Sequence, residues 1–207
     1  INQAIADVLD TKKERKFVET VEVAINLRDV DLQNPQKRIN AEVALPHGRG
    51  KPVRVAVFAQ GEMAAVSKKI VDTVISPGEI DELAENKREA RKLANRFDFF
   101  VAETGLMASI GKSLGVVLGP RGKMPRPLQP EEDVVDVVNR MKNTVQLRSR
   151  DNRTFHARVG ARDMSATDIA TNIEVVIRRL HASLKNGALN VDSIYVKTTM
   201  GPSERVA

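Results

Sequence analysis

The sequence predicts a protein of mixed α/β and α+β class whose parts differ in pattern. Apolar and polar residues alternate in short segments near both ends of the chain, which is typical of strands with one buried face. The middle instead carries continuous apolar segments separated by polar helical stretches, which is typical of a parallel sheet with crossover helices. With 207 residues and 42% hydrophobic content, the chain can form one large domain or two small ones, each with its own core.

The opening segment predicts a helix followed by two strands. Apolar residues at helical spacing indicate a helix over 2–15, and the basic residues at its end suit a helix C-terminus. Alternation then indicates strands over 21–27 and 39–45, with a loop containing Asn-Pro over 29–38. The sequence PHGRGK at 46–51 predicts a flexible basic connector.

The middle of the chain predicts an α/β region. A continuous apolar strand over 53–59 is followed by Gly61 and a helix over 62–73, as in a parallel sheet. A polar helical stretch is expected over 82–96. Further strand or core segments are expected at 74–75, 97–102 and 116–118.

The last third of the chain returns to alternation. A helix over 134–142 leads into a strand over 144–148, and a polar stretch follows. The remainder resembles the opening segment in forming a β-α-β pattern, with a strand over 155–159, a helix over 165–184 and a strand over 193–198.

The charge balance favours an anionic partner. The chain has 33 Lys and Arg against 27 Asp and Glu, a net charge of +6. Residues 1–59 hold 10 basic and 8 acidic groups, 60–152 hold 15 and 14, and 153–207 hold 8 and 5. If both ends fold together, the anion-binding surface belongs to that terminal domain. Since aromatic residues make up only 3%, we expect backbone, shape and polar contacts to nucleic acid rather than many stacked bases.

The sequence lacks the residues that common catalytic and metal sites require. Gly111-Lys112-Ser113 resembles the end of a phosphate-binding loop, but Leu106 stands where that loop requires glycine. The chain has no Cys, its three His residues show no metal-ligand spacing, and no Gly-x-Ser-x-Gly elbow is present. We therefore expect no enzymatic activity, no cofactor and no metal.

No segment indicates a membrane or a secretory route. The longest apolar runs are far below the roughly 18 residues that a membrane-spanning helix needs. The chain begins with Ile, and no charged-then-apolar leader follows. We expect the protein to stay in the cytoplasm, where it is made, without membrane contact.

Two motifs have the chemistry to approach a nucleic acid. The sequence GPRGKMPRP at 119–127 combines two Gly and three Pro with three cations, so it either grips phosphates or forms a rigid solvated loop. These cations are Arg121, Lys123 and Arg126. The sequence KTTMGPS at 197–203 supplies hydroxyls, a thioether and bare backbone at Gly201, which a sugar-phosphate chain could approach closely. By itself, the second motif is equally a strand end with a turn.

Four segments occur along the chain in one order: KFVETVE at 16–22, LPHGRGK at 45–51, LGPRGKMP at 118–125 and TTMGPS at 198–203. Together they resemble the ribosomal protein L1 family, the proteins of the mobile side stalk of the large ribosomal subunit. The resemblance spans nearly the whole chain. Lys123 and Arg126 stand where bacterial members typically carry other residues, so the chain resembles an archaeal member.

The resemblance implies a split architecture with the main RNA site on the terminal domain. That α+β domain is formed by 1–59 and 153–207, and a Rossmann-like parallel-sheet domain over 60–152 is inserted into it through two hinge strands. Gly48 and Gly50 lie beside the first crossing, where their freedom in φ suits a hinge. The residues matching the family's RNA site are Lys16, Phe17, Glu19, Thr20, Ser193, Thr199, Met200, Gly201 and Pro202. A secondary RNA contact is expected at Arg121, Lys123 and Arg126.

The resemblance also implies partners and roles. It implies a non-enzymatic ribosomal protein that binds the stalk region of large-subunit rRNA and assists release of deacylated tRNA from the exit site. It further implies binding of a similar RNA fold in the protein's own mRNA, which represses translation, and a monomer outside the ribosome. The competing interpretation is a nucleotide-dependent enzyme that uses the parallel sheet of the middle region.

Overall fold

Two compact units make up the chain. The computed structural model describes residues 1–10, 15–71, 73–129 and 132–206. The first unit combines Ile1–Lys51 with Asn143–Ala207, and the second unit is Pro52–Lys142.

The secondary structure elements are numbered in chain order. The strands are β1 (Thr20–Leu27), β2 (Asn40–Ala44), β3 (Val55–Phe58), β4 (Thr73–Ile75), β5 (Phe99–Glu103), β6 (Arg126–Leu128), β7 (Thr144–Arg148), β8 (Thr154–Ala161), β9 (Val191–Thr198) and β10 (Ser203–Arg205). The α-helices are α1 (Asn2–Leu9), α2 (Gly61–Ser67), α3 (Pro77–Glu85), α4 (Lys87–Arg96), α5 (Met107–Ser113), α6 (Gly115–Arg121), α7 (Val134–Lys142) and α8 (Ala166–Ser183).

In the first unit, an antiparallel sheet in the order β10-β9-β1-β8 carries the core on one face. Along β1, Val21, Val23, Ile25 and Leu27 are buried, and the residues between them are half-buried on the opposite face. Helices α1 and α8 pack on the apolar face. The antiparallel ribbon of β2 and β7 adds its buried side chains to the same core.

In the second unit, a parallel sheet in the order β4-β3-β5-β6 lies between two apolar clusters. All four residues of β3 are buried, as expected for a strand covered on both faces. One cluster includes residues of α3 to α6, and the other includes residues of α7 with partly buried residues of α2. The predicted mixed α/β and α+β fold class is therefore confirmed.

The unit boundaries differ from those predicted from the sequence, which lie after residues 59 and 152. The observed boundaries lie after Lys51 and Lys142. Strand pairing explains both shifts: β3 pairs in parallel with β4 and β5 inside the second unit, and β7 pairs with β2 inside the first. A change in hydrophobic pattern along the chain does not reveal which strands pair.

Residues 116–118 lie in helix α6 rather than in a strand. Val117 and Leu118 are buried in the second unit's core, whereas Val116 is 75% exposed, as one-sided helix packing requires. The expected burial in a core therefore holds for Val117 and Leu118, whereas the strand alternative does not, because a run of three apolar residues is too short to show a period. The short strands β6 and β10 were not predicted.

Other predicted helices differ in their ends. The helix expected over 62–73 ends at Ser67, because Thr73 already begins β4. The stretch over 82–96 belongs to two helices that meet at Asn86, whose Oδ1 accepts a hydrogen bond from the backbone N–H of Glu89 at the start of α4. The first helix ends at Leu9, and residues 11–14 of its predicted span lie outside the described residues.

The connector at 46–51 is held by the side chain of Asn172 in α8, which is fully buried. Its Oδ1 accepts a hydrogen bond from the backbone N–H of His47 at 3.2 Å. Its Nδ2 donates to the carbonyl oxygens of Gly48 at 3.0 Å and Val159 at 2.8 Å. The connector is thus hydrogen-bonded to α8 at His47 and Gly48, and its predicted flexibility stays a prediction.

Gly48 and Gly50 are required by backbone conformation and close packing. Their φ angles are 67° and 69°, in the left-handed region that favours glycine. At Gly50, a Cβ atom would lie 2.6 Å from the Cβ of Ala161 and 2.8 Å from the Sδ of Met164. These constraints explain why position 50 requires glycine, whether or not it is part of a hinge. The hinge role of both glycines stays a prediction.

We expect Gly50→Ala to destabilise the first unit more than Gly187→Ala. Gly187 also has a positive φ, 55°, but a Cβ there would meet nothing closer than the carbonyl oxygen of His181 at 3.8 Å. Both substitutions add left-handed strain of about 1–2 kcal/mol. Gly50→Ala adds an overpacking cost of about 1–3 kcal/mol.

The measurement is denaturant unfolding followed by tyrosine fluorescence. The chain has one Tyr and no Trp, and Tyr195 lies in the first unit, so this signal reports that unit. Equal losses of unfolding free energy in the two variants would contradict the close packing at Gly50.

Candidate nucleic-acid interface

The C-terminal turn, residues 199–202, is tied to the start of β1 by the hydroxyl of Thr199. Its Oγ1 accepts a hydrogen bond from the backbone N–H of Thr20 at 3.0 Å and donates to the carbonyl oxygen of Thr20 at 3.3 Å. The turn is closed by the N–H of Gly201, which donates to the carbonyl oxygen of Thr198 at 3.3 Å. The structure therefore brings together two of the segments predicted from the sequence.

A buried carboxylate holds the next residue of the same turn. Glu19 is 2% exposed, and its Oε1 accepts a hydrogen bond from the backbone N–H of Met200 at 3.0 Å. Its Oε2 accepts from Nη1 of Arg162 at 2.9 Å, and its carbonyl oxygen accepts from the Arg162 N–H at 2.9 Å. A buried carboxylate needs such partners. Glu19 therefore acts as a positioning residue for the turn, and sequence reasoning did not identify Arg162.

Large apolar side chains beside this network are exposed. Phe17 is 52% exposed, Val18 is 47% exposed and Met200 is 60% exposed. Lys16 is also exposed, immediately before this apolar pair, and Pro202 is exposed in the turn. Exposed apolar side chains next to a fixed polar network are typical of an interaction site.

Lys51 is a further residue of this region that sequence reasoning did not identify. Its Nζ donates hydrogen bonds to the carbonyl oxygen of Val18 at 2.6 Å and to Oγ1 of Thr20 at 2.9 Å. The segment before β1 is therefore fixed by a cation from the connector, in addition to the contacts of Thr199. Because the sequence separation is large, only the folded structure reveals this contact.

The sheet of the first unit has a polar face opposite its core, here called the open face. Directly paired residues of antiparallel strands point to the same side, so the strand register defines its members. They are Thr20, Glu22, Ala24, Asn26, Thr154, His156, Arg158, Ser193, Tyr195, Lys197, Ser203 and Arg205. Three of these side chains are cationic at neutral pH and one is anionic, so the open face is basic.

The strand register places Ser193 on the side of the open face, at the end away from the C-terminal turn, but the residue is only 7% exposed. It pairs with Asn26, whose Nδ2 donates a hydrogen bond to Ser193 Oγ at 2.8 Å, and Asn26 Oδ1 accepts from Oγ1 of Thr154 at 2.7 Å. The six residue steps from Thr20 to Asn26 span roughly 20 Å along β1. The structure therefore places Ser193 on the same surface as Thr20 without bringing the two residues into contact.

The cations predicted in the second unit hold backbone groups of that unit. Nζ of Lys123 donates hydrogen bonds to the carbonyl oxygens of Ala94 at 2.8 Å and Phe97 at 2.7 Å, at the end of α4. Nη1 of Arg121 donates to the carbonyl oxygen of Val117 at 3.0 Å. Arg126 begins β6. These contacts favour a structural role for Lys123 and Arg121, and the secondary RNA contact of all three stays a prediction.

The Gly111-Lys112-Ser113 segment does not have the geometry of a phosphate-binding loop. It forms the last turn of α5, whereas a phosphate loop precedes a helix and presents that helix's first N–H groups. Among the described residues, no group of three or more His, Asp or Glu side chains could hold a metal ion. Nor does any helix in the described ranges have the length and apolar character needed to cross a membrane.

Comparison with known proteins matches most of the chain to one family. The model of the "Ribosomal protein L1p/L10e family" matches residues 8–202. Three similar proteins, each named "Large ribosomal subunit protein uL1", come from archaea. The chain is 55% identical to the protein of Haloferax volcanii over 206 residues, which cover 100% of this chain and 97% of the relative. It is 56% identical to that of Halobacterium salinarum and 52% identical to that of Methanothrix thermoacetophila, each over 207 residues covering 100% of this chain and 98% of the relative.

We expect Glu19→Gln to loosen the C-terminal turn and destabilise the first unit. The substitution keeps the shape of the side chain but removes the charge that faces Arg162, so the unfolding free energy should fall by about 1–3 kcal/mol. The matched control is Glu174→Gln on the exposed side of α8, which should change it by less than about 0.5 kcal/mol.

Two measurements check this expectation. Tyr195 fluorescence gives the unfolding free energy of the first unit, and the NMR shift of the Met200 amide reports the hydrogen bond to Glu19. A Glu19→Gln variant with unchanged stability and an unchanged Met200 amide would show that the carboxylate does not hold the turn.

Proposed function

The chain belongs to the ribosomal protein L1 family, and we propose that it binds rRNA in the large ribosomal subunit through the C-terminal turn and the open face of its first unit. Membership of a ribosomal protein family confirms the expectation that the chain is not an enzyme. The protein is accordingly a structural component of the ribosome, and it is located in the cytoplasm as part of the ribosome.

The observation that carries the proposed site is the fixed arrangement of the turn and the segment before β1. The two are joined by the hydrogen bonds of Thr199 to Thr20 and of Glu19 to Met200. Because the protein itself holds these backbone groups, RNA binding need not order them, and less affinity is lost to conformational entropy. Met200 and Phe17 meanwhile remain more than half exposed, so they can cover a sugar or a base.

The polar groups of this region suit contacts to ribose and backbone. The Thr199 hydroxyl accepts one hydrogen bond and donates one inside the protein, which leaves one acceptor lone pair for a donor such as a 2′-hydroxyl. The bare backbone of Gly201 allows a close approach. Lys16 and the open-face cations Arg158 and Lys197 supply charge for phosphates, and Ser193 extends the site along the sheet.

We infer the finer roles from membership of the family. The RNA would be the stalk region of large-subunit rRNA, and the protein would assist release of deacylated tRNA from the exit site. Outside the ribosome, the protein would be a monomer that binds a similar fold in its own mRNA and represses its translation. One RNA surface would serve both rRNA and mRNA, so the two RNAs should compete for the C-terminal turn.

We expect Thr199→Val to lower affinity for a stalk rRNA fragment without changing its salt dependence. The substitution nearly preserves the shape but removes the hydroxyl, with its two hydrogen bonds to Thr20 and any bond to RNA, and each lost hydrogen bond costs about 0.5–1.5 kcal/mol, which is roughly 2- to 12-fold in affinity. Hydroxyl contacts release no counterions, so the slope of log affinity against log salt should stay the same.

The measurement is a filter-binding titration at several salt concentrations. Thr199→Ser is the matched control, because it keeps the hydroxyl and should retain most of the affinity. Lys197→Gln should instead reduce the salt slope by about 0.7–0.9 if Lys197 neutralises one phosphate. Unaltered affinity in Thr199→Val would remove this residue from the proposed site.

A further inference from the structure

A cavity of about 350 Å³ lies at the end of the β2–β7 ribbon in the first unit, where Asn40 pairs with Arg148. Three arginines line it: Arg38, Arg148 and Arg150. Asp151 is its one acidic lining residue, and no described ion pair joins Asp151 to any of the three arginines. The cavity therefore carries a net positive charge.

One nitrogen of the Arg148 guanidinium group lacks an acceptor. Its Nη1 is buried from solvent and has no hydrogen-bond partner in the protein. A charged donor that is removed from water without an acceptor is strongly disfavoured. Arg148 also lines the cavity, so an anion there that draws its guanidinium group toward the cavity would supply the missing acceptor.

The backbone around the cavity is fixed before any ligand arrives. Ser149 is 2% exposed, and its Oγ accepts a hydrogen bond from the backbone N–H of Ile39 at 3.0 Å, while its own N–H donates to the Ile39 carbonyl oxygen at 3.1 Å. Nε of Arg38 donates to the carbonyl oxygen of Leu32 at 2.8 Å, which orients its guanidinium group. The arginines thus project from a turn and a strand end that the core holds in place.

Arg150 has a strained backbone for its residue type. Its φ is 52°, in the left-handed region that Gly or Asn would adopt at lower energy. Strain of this kind at a non-glycine residue is concentrated at binding sites. Gly or Asn would form this turn with less strain, so the exposed Arg150 side chain indicates a binding role for its guanidinium group.

We propose that this cavity binds a phosphate of the RNA sugar-phosphate backbone through Arg148 and Arg150, with Arg38 as a third cation. The planar guanidinium group matches two oxygens of one phosphate, and the cavity is open and larger than a single ion requires, which suits a phosphodiester that continues on both sides. This proposal rests on the proposed function, because the RNA that supplies the phosphate is the one bound by the C-terminal turn and the open face.

The position of the cavity fits an extended RNA contact. The turn from β7 to β8 leads to Arg153, whose carbonyl oxygen accepts a hydrogen bond from the N–H of Leu27. Leu27 follows Asn26, which pairs with Ser193 at one end of the open face. The C-terminal turn lies at the other end of β1, roughly 20 Å away. The two sites would therefore hold parts of the RNA that are several nucleotides apart.

The test compares arginine variants of the full chain in stalk rRNA titrations at several salt concentrations. Because Arg148 and Arg150 would bind the same phosphate, either one alone still neutralises it, so we expect Arg148→Gln and Arg150→Gln each to lower affinity with little change in the slope of log affinity against log salt. The double variant should reduce that slope by about 0.7–0.9, the value for one phosphate. Arg178→Gln on the exposed side of α8 removes the same charge away from the cavity and should leave the slope unchanged.

A titration with inorganic phosphate at constant ionic strength distinguishes the source of the phosphate. We expect the NMR signal of the Arg148 Nε–H to shift in the wild-type chain. If it shifts while the double variant keeps the wild-type affinity and slope with RNA, the cavity takes free phosphate and the RNA proposal is overturned. Tyr195 fluorescence checks that Arg148→Gln folds. If this variant does not fold, the RNA affinity of Arg150→Gln, a substitution at the exposed turn, decides whether the cavity contacts RNA.

Failure of the proposed function would look different. In that case the wild-type chain itself would not bind the rRNA fragment, and both proposals would fall. If the wild-type chain binds and the double variant matches Arg178→Gln in affinity and salt slope, the proposed function stands and only the phosphate site is overturned.

Discussion

The buried carboxylate of Glu19 is the constraint on which the arrangement of the first unit depends. It accepts hydrogen bonds from Arg162 and from the N–H of Met200, which are 143 and 181 residues away along the chain. A carboxylate that is removed from water is tolerated only when such donors are present, so the three segments are fixed together or not at all. The first unit therefore needs both ends of the chain. The C-terminal turn takes its position from this network, and the exposed side chains around it become a surface with a defined shape.

Much of the fold could be predicted from the sequence because the period of burial is strong in long elements. Helix α7 and strand β7 have the predicted bounds, since each has apolar residues at one clear spacing over its whole length. For residues 116–118, the strand alternative was wrong and the core alternative held for Val117 and Leu118, because three apolar residues fit a helix and a strand equally well. The predicted unit boundary after residue 152 also differs from the observed one after Lys142. The partner of β7 is β2, about one hundred residues earlier, and pairing over that separation leaves no local pattern.

The candidate site was only partly predictable for the same reason. The alternation of β1, extended two residues back from Val21, already places Glu19 on the core side, so its burial could have been inferred. Its partner Arg162 could not, because that contact depends on tertiary packing. The resemblance to the family selected Thr199 and Ser193, but only the structure shows that Thr199 contacts Thr20 at one end of β1 and that Ser193 pairs with Asn26 at the other. Basic residues such as Arg148 show their significance only when their burial and lack of an acceptor are known.

The central claim is that the first unit carries the main RNA site, and methionine methyl NMR tests it most directly. Met200 in the first unit is 60% exposed and Met124 in the second unit is 43% exposed, so the chain has an accessible methyl probe in each unit. With labelled methionine and a stalk rRNA fragment, we expect the Met200 methyl signal to shift at RNA concentrations that leave the Met124 signal unchanged. A Met124 signal that shifts while Met200 stays fixed would contradict this assignment and place the main RNA site in the second unit.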